Sequence, residues 1–280
     1  AALAFKDFGI CPYAGAKCDE GGEYIEGTNR NNKHGPVRSG YLGPSNCFDC
    51  RFFLTGPAFL GGLKTIFDEV GLEGKLCSKR VDKYRIEVET LEDIKYELDE
   101  SGGIFEDDAK LNKLRNLEQQ ESEKLSALAL DAIVIGVYAA RSERLLSTSK
   151  VTKDSFQLIT SEHNDFFKVE IEEASEFRQL YEICKNAEIY TCANPQRALP
   201  KRSLLIDKFA AMNGLKPSMC LLSEEEQLEV GNQITNIVLT RLNGNWNDAD
   251  KLFNGELFLK DLGISSAEIM KPIEDKNKFI

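Results

Sequence analysis

Apolar residues recur at helical spacing along most of this chain and nearly vanish in one stretch close to its start. After Thr55-Gly56-Pro57, the residues Phe59, Leu60, Leu63, Ile66 and Phe67 lie three or four apart. They predict a helix with one buried face and Pro57 near its first position. From about Val81 a second stripe of Tyr84, Val88, Leu91, Ile94 and Leu98 runs up to the breaker Ser101-Gly102-Gly103. A long helix over roughly 107–147 follows, with Leu111, Leu114, Leu117, Leu125, Leu128, Ala132, Ile135 and Ala139 on one side. Two long helices around a Gly-Gly turn predict an antiparallel αα-hairpin. Its leucine stripe reads first as the hairpin's own core and second as a seam for a partner.

Beyond the hairpin, Phe166–Ile171 reads as a short strand within a mixed stretch, 149–171. Helices are expected at about 172–187, 203–213, 223–242 and 247–261. The third of these opens on Ser223-Glu224-Glu225-Glu226, a capping box. Pro195, Pro200 and Pro217 are placed between helices, where proline is tolerated. The fold class expected is mainly α: a helical bundle with a long αα-hairpin, preceded by an irregular zinc-stapled amino-terminal module. The divisions expected are 1–76 for that module, 77–148 for the hairpin, and 149–280 for a helical domain packed on it.

The apolar-poor stretch changes the picture. Residues 19–46 are rich in Gly, Glu, Asn, Lys and Arg and have little to bury, so they need a staple. Two cysteine pairs bracket them: Cys11 with Cys18, and Cys47 with Cys50 in a Cys-x-x-Cys turn. Paired cysteines across a polar loop are the usual sequence form of a closed structural zinc site. The Cys-x-x-Cys turn delivers two thiolates and a second pair completes the tetrahedron. A disulfide framework, a redox Cys-x-x-Cys and unrelated buried thiols remain open as alternatives. His34 lies between the pairs and could replace a cysteine, but four cysteines already fill a structural site. Cys77, Cys184, Cys192 and Cys220 are scattered, and Cys184 falls on the apolar side of a helix, as a buried thiol does.

Charge narrows the partners. The formal charge of the 280-residue chain is −11. Residues 1–76 hold eight Lys/Arg against nine Asp/Glu, and the remainder holds 27 against 37. The helical bulk therefore repels phosphate, and any nucleic-acid contact must come from the cysteine module. Lys33, Arg38 and Arg51 flank the proposed zinc site and are the candidate DNA-contacting residues. No apolar run reaches the roughly 18 residues that cross a membrane, the longest being interrupted by Asp131. No membrane partner and no small-molecule substrate are expected. The chain opens at Ala1 without a charged-then-apolar leader, as a piece of a longer protein or a processed chain would. With two histidines, His34 and His163, no Ser/His/Asp or Cys/His arrangement can be built, and no phosphate loop or His-Glu-x-x-His motif is present.

The segments from Gly9-Ile10-Cys11-Pro12 to Cys18-Asp19-Glu20-Gly21-Gly22-Glu23, and Cys47-Phe48-Asp49-Cys50-Arg51-Phe52-Phe53-Leu54-Thr55-Gly56-Pro57-Ala58-Phe59-Leu60, carry a resemblance. The chain resembles the region after the catalytic domain in large phage-integrase-family tyrosine recombinases of the gamma-mobile-trio type, carried on bacterial mobile islands. Ala211-Met212-Asn213-Gly214-Leu215 and Gly231-Asn232 add to the likeness. The resemblance implies DNA integration or recombination by the parent protein, in the bacterial cytoplasm, with the rest of a recombinase or its partner proteins as neighbours. It does not bring the chemistry. Such recombinases use an Arg, a His-x-x-Arg and a nucleophilic Tyr. Here His34 is followed by Arg38, four residues on, and His163 has no Arg in reach. The expected function is thus a non-catalytic accessory region giving DNA or protein contacts. The alternative is a zinc-stabilised helical interaction scaffold unrelated to recombination.

Overall fold

Helix α1 (Leu60–Ser101, 42 residues) and helix α2 (Asp108–Thr148, 41 residues) form the long hairpin. At about 1.5 Å per residue each runs roughly 60 Å. The computed structural model describes residues 3–21, 42, 46–148, 158–159 and 174–277, without the side chains of 19, 148, 270 and 274–277. The predicted strand at Phe166–Ile171 lies outside the described residues. The protein is mainly helical and divides into two units, Ala1–Val169 and Glu170–Ile280.

In the first unit the helices run antiparallel, as the cross-pairs Lys64–Glu143 (2.6 Å), Arg85–Glu118 (3.4 Å), Arg115–Glu92 (2.6 Å) and Lys95–Asp108 (2.7 Å) require. Cys77, Val81, Val88 and Leu91 of α1 are buried, and so are Leu111, Leu114, Leu128 and Ile135 of α2. The leucine stripe is therefore the hairpin's own core. The sequence pattern suggested two helices where α1 is one, running through residues 76 and 77 without a break. The cause lies in its middle. There a polar layer replaces apolar seam residues, and it matches the gap between Leu117 and Leu125 on α2. Glu73, 6% exposed, accepts from Lys124 Nζ at 2.6 Å and Arg80 Nη2 at 3.3 Å. Arg80 also reaches Glu121 Oε2 at 3.0 Å, and the Cys77 thiol donates to the same carboxylate at 3.1 Å. Burial and the Glu121 carboxylate push the Cys77 thiol up, while the Arg80 hydrogen bond holds Glu121 low. A satisfied polar layer of this kind fixes register between two helices.

Ahead of the hairpin, strands β1 (Ala4–Lys6) and β2 (Gly9–Cys11) pair antiparallel, Phe5 opposite Ile10. Ile10 bridges on to Leu54, and Thr55 bridges to Ile159. The turn between β1 and β2 presses on α1: a Cβ on Gly62 would stand 2.1 Å from the Asp7 carbonyl oxygen. That contact accounts for a glycine in an otherwise apolar helix start. The run Cys47–Leu60 seats the hairpin. Phe48 and Phe53 are buried beside Tyr138 of α2, and Thr55 Oγ1 donates to the Phe8 carbonyl at 2.8 Å. Asp131 is the key polar residue of this interface. It is 2% exposed and accepts from Asn46 Nδ2 at 2.7 Å and from the Leu42 amide at 2.9 Å. Asn46 Oδ1 in turn accepts from the Phe48 amide at 3.0 Å.

One correction concerns α2. Within Asp108–Ser147 an 18-residue window has mean hydropathy 1.5, so by length and composition this helix can cross a membrane. The expectation that no segment qualifies counted Asp131 as a break, whereas a window tolerates isolated charges. The core helix of a soluble protein passes the same test, and 33% of the window is buried.

The second unit holds α3 (Glu176–Asn186), α4 (Ala198–Met212), α5 (Glu224–Arg241), α6 (Trp246–Asn254) and α7 (Ser266–Asn277). Phe177, Ile206, Phe209, Val230, Ile234, Val238, Leu252 and Phe253 make its core. Ser223 and Glu226 form the predicted capping box. Helix α4 begins earlier than expected because Pro200 lies in its first turn, where no amide donor is needed. Helix α6 ends earlier, at Gly255. The recognised Met212-Asn213 and Gly231-Asn232 have packing roles. Asn213 Oδ1 accepts from the Leu259 amide at 2.8 Å. Arg202, fully buried, donates to Asn232 Oδ1 and to the Gln227 and Leu228 carbonyls at 2.8 and 3.0 Å. A Cβ on Gly231 would stand 2.5 Å from Arg202 Nη2, so the clasp needs glycine there.

Two outcomes follow from these contacts. Asp131→Ala strands the Asn46 amide and the Leu42 N–H, each at about 1–3 kcal/mol. Chemical denaturation should therefore show the first unit destabilised by roughly 3 kcal/mol, with Leu130→Ala, at an exposed site, within about 0.5 kcal/mol of wild type. Equal effects would contradict the anchoring role. In the second unit, burial pushes the Cys184 thiol from 9.0 up to about 11 and the Tyr181 phenol from 10.0 up to about 12. Above pH 9 the unfolded chain releases protons that the folded chain retains. Stability of this unit is therefore whole below pH 9 and falls as pH rises through 11. Trp246, the single tryptophan, lies 5.4 Å from Tyr181 and reports on it. Its fluorescence midpoint in urea should drop between pH 9 and 11, and an unchanged midpoint would contradict the assignment.

Candidate metal centre

Cys11 ends strand β2, and the chain then coils back on itself to Cys18. The amides of Ala14, Ala16 and Cys18 donate to the carbonyls of Cys11, Tyr13 and Gly15 at 3.3, 2.9 and 3.2 Å. Gly15 sits at φ +87°, a left-handed conformation that suits glycine. Its amide donates to Cys11 Sγ at 3.3 Å, and a Cβ built on it would lie 3.9 Å from Cys18 Sγ. The turn thus brings both sulfurs of the first pair to one residue.

The second pair is a tight turn, Cys50 N–H donating to the Cys47 carbonyl at 3.1 Å and Phe53 N–H to that of Cys50 at 2.9 Å. The Arg51 amide donates to the Gly21 carbonyl at 2.9 Å and ties this turn to the first loop. Residues 52 and 53 then differ in burial. Phe53 is buried against Phe48 and Tyr138, with ring centroids 5.4 and 5.9 Å away, and Phe52 stays half-exposed.

Cys11, Cys18, Cys47 and Cys50 line a single cavity of about 20 Å³, together with Tyr13, Lys17, Phe52 and Phe53. The space admits one water-sized occupant. None of the four is in a disulfide: Cys18 is exposed, Cys11 and Cys47 are half-buried and Cys50 is buried. The donor set lining the cavity is all sulfur, which matches Zn²⁺. A tetrahedral site with bonds of about 2.3 Å sets its sulfurs roughly 3.8 Å apart. Among the described residues no group of three or more His, Cys, Asp or Glu is closed to metal-holding distance. Formation of the site would require the four sulfurs to close to that spacing.

Two cations beside the thiols are held against aromatic rings. Lys17 Nζ lies 4.9 Å from the Tyr13 ring centroid, 5.8 Å from that of Phe52 and 3.3 Å from Glu20 Oε2. The two rings meet edge to face at 5.0 Å. Arg51, exposed, stacks its guanidinium carbon 4.9 Å over the Phe52 ring. Of the three residues expected to contact DNA, Arg51 is therefore at the cysteine site, while Lys33 and Arg38 lie outside the described residues, as do His34 and His163. Sequence reasoning missed Lys17, Tyr13 and Asp131. Lys17 directly precedes a candidate ligand, and Asp131 was visible as a lone acid in an apolar run. No protein-family model, no curated protein and no solved structure matches this chain.

Proposed function

We propose that this chain is a non-catalytic, zinc-stapled accessory region of a site-specific DNA recombinase, giving DNA or protein contacts for the integration of a mobile element. The supporting observation is the convergence of Cys11, Cys18, Cys47 and Cys50, from two separate segments, on one ion-sized cavity. The run that carries the recombinase resemblance leaves this cavity directly and seats the hairpin. Zinc at the four thiolates would hold the apolar-poor loop in place of a hydrophobic core. DNA contact would fall to Arg51, which is exposed beside the site, with Lys33 and Arg38 from the sequence between the two cysteine pairs.

A second reading, a zinc-stabilised interaction scaffold unrelated to recombination, is favoured by one feature of the hairpin. Its far end rests on the small cluster Val88, Leu91, Leu111 and Leu114, and leaves Ile86, Ile94 and Tyr96 of α1 exposed. Such a surface suits a protein rather than phosphate.

Metal analysis should find about one equivalent of zinc per chain, and chelation should unfold the amino-terminal module while Trp246 in the second unit stays native. Absence of zinc with all four thiols reactive would overturn the staple. In DNA titrations at low salt, binding should be weak and steeply salt-dependent. Arg51→Ala should lower the salt slope by about one and a Lys33/Arg38/Arg51 triple alanine variant by more. Equal binding by wild type and variants would remove this face, and no binding by any would favour the scaffold. A covalent protein–DNA adduct lost on replacing one tyrosine by Phe would contradict the non-catalytic assignment.

A further inference from the structure

A zinc ion held by four thiolates carries a formal charge of roughly −2. Cys50 is buried and Cys11 and Cys47 are half-buried, so this charge would sit in a partly desolvated cavity whose other walls are largely aromatic. Charge placed there needs compensation from nearby donors and cations. The Gly15 amide on Cys11 Sγ supplies one such donor.

We propose that Lys17 is the counter-charge of this centre, a positioning residue that acts on the thiolate cluster rather than a DNA contact. The inference rests on the zinc reading above. Among the described residues Lys17 is the cation lining the cavity, and it directly precedes Cys18 in the chain. Its ammonium is held by two ring faces, Tyr13 at 4.9 Å and Phe52 at 5.8 Å, and both rings line the same cavity. A cation over an aromatic face gains attraction without surrendering its charge. The two rings thus keep a flexible side chain at the mouth of the site instead of in bulk solvent. Arg51 stacks on Phe52 from outside the cavity lining, so it contributes less to the thiolates and remains available to a partner. Glu20 pairs with Lys17 at 3.3 Å and draws part of its field away from the sulfurs. The arrangement predicts opposite effects for the two partners of this ion pair.

The test uses the full chain and the metal alone. Zinc affinity is measured at fixed pH by competition with a chromophoric chelator, and the ligand set is read from the cobalt(II) spectrum. Lys17→Met should weaken zinc about tenfold, the low end of what outer-shell partners of a metal site contribute. Lys17→Arg should stay within about threefold of wild type, and Glu20→Gln should bind more tightly. These differences should shrink in high salt. The cobalt spectrum should keep its four-thiolate signature in every variant. If wild type takes up no zinc, both this inference and the metal reading fall. If wild type binds zinc and Lys17→Met binds equally well, only the counter-charge falls. A Lys17→Met protein with altered cobalt bands, or a Lys17→Arg protein as weak as Lys17→Met, would show a packing role and overturn the proposal as well.

Discussion

A segment that cannot bury much apolar surface has to be fastened by directional contacts, and the first unit is organised around that constraint. Its cysteine module owns a few aromatic side chains and little aliphatic bulk. Backbone bridges from Ile10 to Leu54 and from Thr55 to Ile159 fasten it at one level. The Asp131 carboxylate reaches out of α2 to Asn46 and the Leu42 amide and fastens it at another. Four thiols facing one cavity supply the third attachment, which metal would complete. These attachments converge on the stretch 46–59, from which α1 departs, so the start of the hairpin inherits its position from them.

The hairpin meets the same constraint in its middle. Glu73, Cys77, Arg80, Glu121 and Lys124 interrupt the apolar seam with a network in which each charge has an opposite partner. Removing Arg80 or Lys124 would take away part of the compensation of the buried Glu73 carboxylate, whereas keeping the layer whole excludes slipped pairings of two otherwise repetitive helices. The second unit reaches a similar end by different means. Arg202 spreads its donors over Asn232 and two helix carbonyls, in space left by Gly231.

Helix-spaced stripes such as Leu111-Leu114 and Leu125-Leu128 made the hairpin legible in the sequence, because a seam between two helices imposes its period on both. The capping box at Ser223 was legible for the same local reason. The continuity of α1 was not. Gly71 and Gly74 weaken helix propensity locally, Glu73 interrupts the apolar stripe, and the partners that accommodate Glu73, Lys124 and Arg80, come from elsewhere in space or along the helix. The candidate site was legible as four cysteines, since ligand spacing is local, and the structure brings those four to one cavity. Lys17 and its two rings were not, because a cation held over aromatic faces leaves no sequence spacing to read. Asp131 stood out as an interruption, but its role depends on Leu42 and Asn46, about ninety residues away.

The central claim is that Cys11, Cys18, Cys47 and Cys50 together hold one zinc ion. X-ray absorption at the zinc edge on the purified chain tests it most directly. The account predicts a first shell of four sulfur scatterers at about 2.3 Å, reduced when any one of the four is replaced by serine. A first shell containing nitrogen or oxygen at about 2.0–2.1 Å in the wild-type protein, or a four-sulfur shell that survives loss of one of these cysteines, would contradict it.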